Sequence, residues 1–140
     1  MAAFVKYTAA VEPLLEAISS GADTWKCALA LTVNVADTSF SAGTTDLATG
    51  GGYTQGGNTA AVSSAAQTAG TYKLVLSAPA TWTASTTGFT FRYVILYNFT
   101  NLIPVGYWDT GVVGGIIMSG TNGDTFTFTP DAGNGVFQVT

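Results

Sequence analysis

Residues 88–99, GFTFRYVILYNF, constrain the fold more than any other stretch because they offer apolar side chains to both sides of an extended chain. Along a strand, Phe89, Phe91, Tyr93, Ile95 and Tyr97 point one way, while Val94 and Leu96 join Thr90 and Arg92 on the other. An antiparallel sheet in a small domain commonly turns one face to water. This strand needs cover on both. One face is expected to enter a β-core and the other to meet an N-terminal helix or a second subunit.

Most of the remaining chain also reads as strand. TWKCALALTVNV at 24–35 places Trp25, Cys27, Leu29, Leu31, Val33 and Val35 on one side, predicting a long strand with one buried face. TYKLVLS at 71–77, IPVGYWD at 103–109, GVVGGIIM at 111–118, DTFTFTP at 124–130 and GVFQVT at 135–140 are shorter candidates, the last two expected to form a hairpin. SGTNGD at 119–124 and PDAGNG at 130–135 supply turns, because glycine and asparagine tolerate positive φ. The succession predicts a mainly β domain, a β-sandwich or jelly-roll-like fold with one N-terminal amphipathic helix. No fixed-period repeat is visible, which argues against a solenoid or propeller.

Two segments differ from this pattern. Phe4, Tyr7, Val11, Leu14, Leu15 and Ile18 follow helical spacing, with Gly21 as terminator and Pro13 either kinking the helix or starting it afresh in its first turn. Residues 37–70 are rich in Gly, Ser, Thr, Ala and Asn, with Tyr53 alone among glycines. They read as an extended loop with one or two short strands that lies against the body or embraces a neighbour. The chain is expected to be a single domain, 1–140: an N-terminal helix or arm at 1–20 and a β-sandwich at 24–140, with the long loop at 37–70.

Composition narrows the partners. Charged residues are 9% of the 140, against about 25% in ordinary soluble proteins, while 47% are hydrophobic. Such a chain folds, and its neutral surface resists association only weakly, which suits a protein covered by neighbours in an assembly. Lys6, Lys26, Lys73 and Arg92 are the only basic residues and are spread along the chain, so nucleic acid is not an expected partner. The longest apolar runs, such as VVGGIIM at 112–118, are too short to span a bilayer as a helix, and no secretory signal is found, so no membrane partner and cytoplasmic synthesis are expected.

No catalytic, cofactor-binding or metal-binding residue is expected. The chain has no histidine to activate a serine or Cys27, whose alternation with Trp25 and Leu29 reads as a small buried side chain. Asp109, beside Tyr107 and Trp108, resembles one half of a carboxylate pair against an apolar wall, but reads better as the turn residue before Thr110 and Gly111. DAGNG at 131–135 has too few oxygen donors for calcium, and the glycines at 50–52 and 56–57 lack a phosphate loop's spacing. Asn98-Phe99-Thr100 matches a glycosylation sequon by chance. Tyr53, Trp82, Tyr93, Tyr97, Tyr107 and Trp108 could form a carbohydrate platform or a protein interface.

GGYTQGGN (51–58), YKLVLSAPATWTA (72–84), FRYVILYN (91–98) and VGYWDTG (105–111), in that order behind an amphipathic N-terminus, resemble small virion proteins of tailed bacteriophages. The likeness covers most of the chain. It implies a capsid decoration, or cement, protein on the outer surface of the virion, bound to the major capsid protein or other virion proteins as a homo-oligomer, a trimer being expected. The interface residues expected are Phe4, Val11, Leu15, Tyr53, Trp82, Tyr107 and Trp108. The rivals are a tail or tail-fibre module binding a host glycan through aromatics, and a polysaccharide-cleaving enzyme using an acidic pair.

Overall fold

The structure, a computed structural model, describes residues 2–16 and 18–140. The protein is mainly β, with several antiparallel sheets and one short N-terminal helix. In chain order the elements are β1 (Val5–Lys6), a 3-10 turn (Thr8–Ala10), α1 (Val11–Glu16), β2 (Trp25–Ala30), β3 (Asn58–Thr59), β4 (Val62–Thr68) and β5 (Thr71–Leu76). There follow β6 (Trp82–Thr83), β7 (Phe89–Phe91), β8 (Tyr93–Asn98), β9 (Ile103–Asp109), β10 (Ile116–Met118), β11 (Thr125–Phe126) and β12 (Phe137–Val139). They form a five-stranded sheet in the order β1-β9-β8-β2-β3, a three-stranded sheet β12-β5-β4, and two-stranded ribbons β10-β7 and β11-β6, all antiparallel.

The main core gathers Trp25, Cys27, Leu29, Val94, Leu96 and Trp108 from the large sheet with Leu74 and Leu76 from the three-stranded one. Phe91, Met118 and Trp82 come in from the ribbons, and Phe126 packs beside them. Rings tie these parts together, with Phe91 4.6 Å from Phe126 and Trp108 4.6 Å from Phe128, both tilted as ring quadrupoles favour.

The stretch 88–99 is two strands, not one. The chain breaks step at Arg92: β7 pairs with β10, whereas β8 runs between β2 and β9. The break reverses the phase, so Phe91 shares the main core with Val94 and Leu96 instead of lying with Ile95 and Tyr97. Arg92 is held there by its own backbone, which donates to the Ala30 carbonyl at 2.8 Å and accepts from the Thr110 N–H at 3.0 Å.

Contrary to expectation, it is not the N-terminal helix that covers the second face of β8. Ala28, Ala30, Ile95 and Tyr97 form a separate small core capped by Phe40, whose ring stacks on Tyr97 at 3.6 Å and 3°. The cover is therefore the glycine-rich segment after β2. Both faces of β2 are buried as a result, not one, and the strand stops at Ala30, leaving Leu31 46% exposed despite the alternation running on to Val35.

At the N-terminus, the helix expected from Phe4 is confined to Val11–Glu16, with Pro13 in its first turn, where a missing N–H costs nothing. Before it, Val5 and Lys6 pair with Tyr107 and Gly106 on the edge of the large sheet. Leu14 and Ile18 pack on the main core, the side of the sheet opposite Phe40. Within 37–70 the chain includes β3 and the seven-residue β4, more strand than the composition suggested. The last two strands do not form a hairpin: β11 pairs with β6 and β12 with β5.

Candidate interaction surface

Four side chains of the expected aromatic surface belong to the interior. Tyr53, Trp82, Tyr97 and Trp108 are 1%, 3%, 1% and 4% exposed, so none presents a ring to a glycan or a partner. A sparsely charged chain of this size gains most by enclosing its largest apolar side chains itself. Tyr93 and Tyr107 are half-buried and meet edge to face at 5.6 Å. Of the other expected interface residues, Phe4 is half-buried against Trp108 at 4.8 Å, Val11 is 45% exposed, and the Leu15 side chain lies outside the described residues.

Tyr53 anchors the long segment. Its hydroxyl donates to the buried Asp46 carboxylate at 2.5 Å and accepts from the Leu29 N–H at 3.1 Å. Asp46 also accepts from the N–H groups of Gly43 (2.7 Å) and Gly56 (2.6 Å), and the Tyr97 hydroxyl donates to the Gly56 carbonyl at 2.7 Å. Burial, reinforced by Asp46, raises both phenol pKa values. Gly57 closes the knot: its φ is +66°, and a Cβ there would sit 2.0 Å from the Cys27 carbonyl oxygen. The signal for this anchor was present as Tyr53 among glycines, with Asp46 seven residues away as its partner.

The residues weighed for chemistry are similarly engaged. Asp109 binds Arg92 through two bonds, 3.0 Å to Nε and 2.9 Å to Nη2, and accepts from the Gly111 N–H at 2.8 Å. The guanidinium, and next that N–H, hold the Asp109 carboxyl below the usual carboxylate range, the reverse of what a proton donor in glycoside cleavage needs. Cys27 is fully buried, and burial pushes its thiol up to about 12, far from the thiolate a nucleophile requires. Asp131 accepts from the N–H groups of Gly133 and Asn134 and from the Asn134 amide, closing the DAGNG turn on itself. Asn98 of the sequon is fully buried, its amide donating to Asp23 at 2.8 Å. Among the described residues no group of three or more His, Cys, Asp or Glu could hold a metal, and no helix is long and apolar enough to cross a membrane.

The most exposed apolar side chains lie elsewhere. After β9 the chain turns through Val112 and Val113, where the Gly115 N–H bonds the Val112 carbonyl at 2.9 Å, and then enters β10. Val113 is 89% exposed, Ile117 76% and Val112 43%, and residues 110–123 contain no charged side chain. A second apolar area is a groove of about 330 Å³ between the N-terminal segment and β12, lined by Phe4, Lys6, Leu14 and Phe137, with Val11 and Val139 beyond it. The hydropathy pattern read 111–118 as one strand; only Ile116–Met118 pairs, which is why its two valines stand out in solvent. Compared with known proteins, the chain matches no family model, no curated protein and no solved structure.

Proposed function

We propose that this protein is a structural component of a tailed-bacteriophage virion, a capsid decoration or cement protein that binds capsid subunits and stabilises the head as a homo-oligomer, with a trimer as the expected form. The fold that serves this role is a β-sandwich-like packing of the five-stranded sheet over the three-stranded one, a reading supported by the core that both contribute to. The observation that carries the function is the exposed, uncharged projection at Val112, Val113 and Ile117. Apolar side chains this exposed, close in sequence and without a charge among them, support a role for this segment in docking to other protein. The sequence likeness supplies the class of partner, and no step of chemistry is assigned to the chain.

The interface on this reading is not the one expected from aromatic content. Tyr53, Trp82 and Trp108 maintain the fold, and the valine projection makes the contact. The glycan-binding alternative loses its platform with the same burial. The test is light scattering after size-exclusion chromatography, with co-sedimentation on heads of the parent phage that lack this chain. Wild type should bind the heads, and Val113→Asp with Ile117→Asp should abolish binding while leaving thermal unfolding nearly unchanged, since both side chains are already in solvent. A doubly substituted chain that binds heads as wild type does would overturn the assignment of this surface; a wild type with no affinity for heads would overturn the function.

A further inference from the structure

We infer that the outer edge of β4 is a second association site, at which two copies of this chain pair their β4 strands antiparallel about a two-fold axis through Ala66. Among the described residues, every other strand with a free edge is only two or three residues long. β4 has seven, pairs on one side only with β5, and its residues from Ser63 on are exposed except for half-buried Ala65. Free edges of this length are ordinarily blunted by lysine, proline or a covering element. VSSAAQT carries neither a charge nor a proline.

The register follows from the hairpin. Ala69 and Gly70, with φ of +50° and +85°, form a two-residue turn of the type that makes the flanking Thr68 and Thr71 a hydrogen-bonded pair. Alternation then turns the N–H and C=O of Thr68, Ala66 and Ser64 toward β5 and those of Gln67 and Ala65 outward. Among the described residues no backbone bond from outside the sheet reaches Ala65 or Gln67. A bulge between Val62 and Ser64 ends the regular run, leaving Ser64–Thr68 available, with Ala66 at its centre. Pairing about that centre joins Ala65 to Gln67 of the second copy and sets the two Ala66 side chains against each other.

The occupant is a second copy because the edge is self-complementary. Every juxtaposed pair is neutral, with Gln67 the only long side chain among them, and the nearest cation, Lys73, opposite Ala66 on β5, would be separated from its counterpart by three strand spacings, about 14 Å. That exceeds the screening length of about 8 Å at physiological salt. The contact is small, so it makes a weak dimer alone or joins two rings formed through another surface; it does not close a ring of three.

The test uses engineered thiols in the full chain, whose native Cys27 is buried and will not compete. Ala66→Cys should form a disulfide dimer under mild oxidation, Ser64→Cys or Thr68→Cys alone should not, and a mixture of those two should. Gln67→Pro, which removes an outward N–H without touching the β5 ladder, should abolish cross-linking of the Ala66→Cys chain, and Ala66→Lys should reduce any concentration-dependent mass seen by light scattering. Equal cross-linking at all three positions, or a monomer insensitive to Ala66→Lys at every concentration, would overturn the inference. Loss of head binding through Val113→Asp with the Ala66→Cys cross-link intact would leave the two surfaces separately established.

Discussion

Tyr7 and Tyr53 are both enclosed, yet their hydroxyls live in opposite circumstances. Tyr53 serves a buried carboxylate and a buried N–H, whereas Tyr7 Oη has no protein partner. Tyr53→Phe should therefore cost about 1–3 kcal/mol, because it leaves Asp46 and the Leu29 N–H short of a bond in a dry place. Tyr7→Phe should be neutral or stabilise by up to about 1 kcal/mol, since it removes a buried hydroxyl that no protein group satisfies. Denaturant unfolding of the two variants, with unchanged slope, measures the difference. Trp108→Ala should cost about 3–5 kcal/mol as a cavity between Phe4 and Phe128, which is the behaviour of a core ring and not of an exposed anchor.

At the scale of elements, the N-terminal arm depends on one glycine in β9. A Cβ on Gly106 would lie 2.0 Å from Cζ of Phe4, so the ring crosses the sheet only because that position is bare. Gly106→Ala should displace Phe4 from Trp108 and loosen β1, seen as faster amide exchange at Lys6 and Tyr7 with a small drop in melting temperature. Much of the strand content was legible: β5 and β9 follow their sequence patterns to within a residue. The break at Arg92 was not, because alternation continues through it unchanged and only the carbonyl of Ala30 and the N–H of Thr110 give it away. Helical spacing at Phe4 and Tyr7 misled for a similar reason: a free sheet edge at β9 outcompetes a marginal helix, and spacing cannot register the offer. For the candidate surface, the low charge content was the basis for expecting contact with protein, while four of the aromatic side chains considered for it are enclosed in the fold, since size favours burial before exposure.

Taken whole, the molecule should be stable across neutral pH and fail at both ends for different reasons. The carboxyls of Asp109, held by Arg92, and Asp131, held by the Asn134 N–H, have pKa values below those of the unfolded chain. Their stabilisation is present above about pH 4 and is lost as pH falls through the folded values. Tyr7, Tyr53 and Tyr97 are shifted the other way, chiefly by burial. Their contribution is intact below about pH 10 and falls as unfolded phenols ionise while enclosed ones cannot. A titration of phenolate absorbance should show these three ionising together with loss of structure, and Asp109→Asn should flatten the acid limb. Independent ionisation of Tyr53 in the folded protein would contradict the anchor described for it.

The Asp46 anchor has a consequence for how such a chain meets anything. A stretch so rich in glycine would ordinarily surrender a large conformational entropy at the moment of docking, and affinity would suffer by that amount. Here the surrender is completed during folding, so any docking of this protein would not bear that ordering cost a second time.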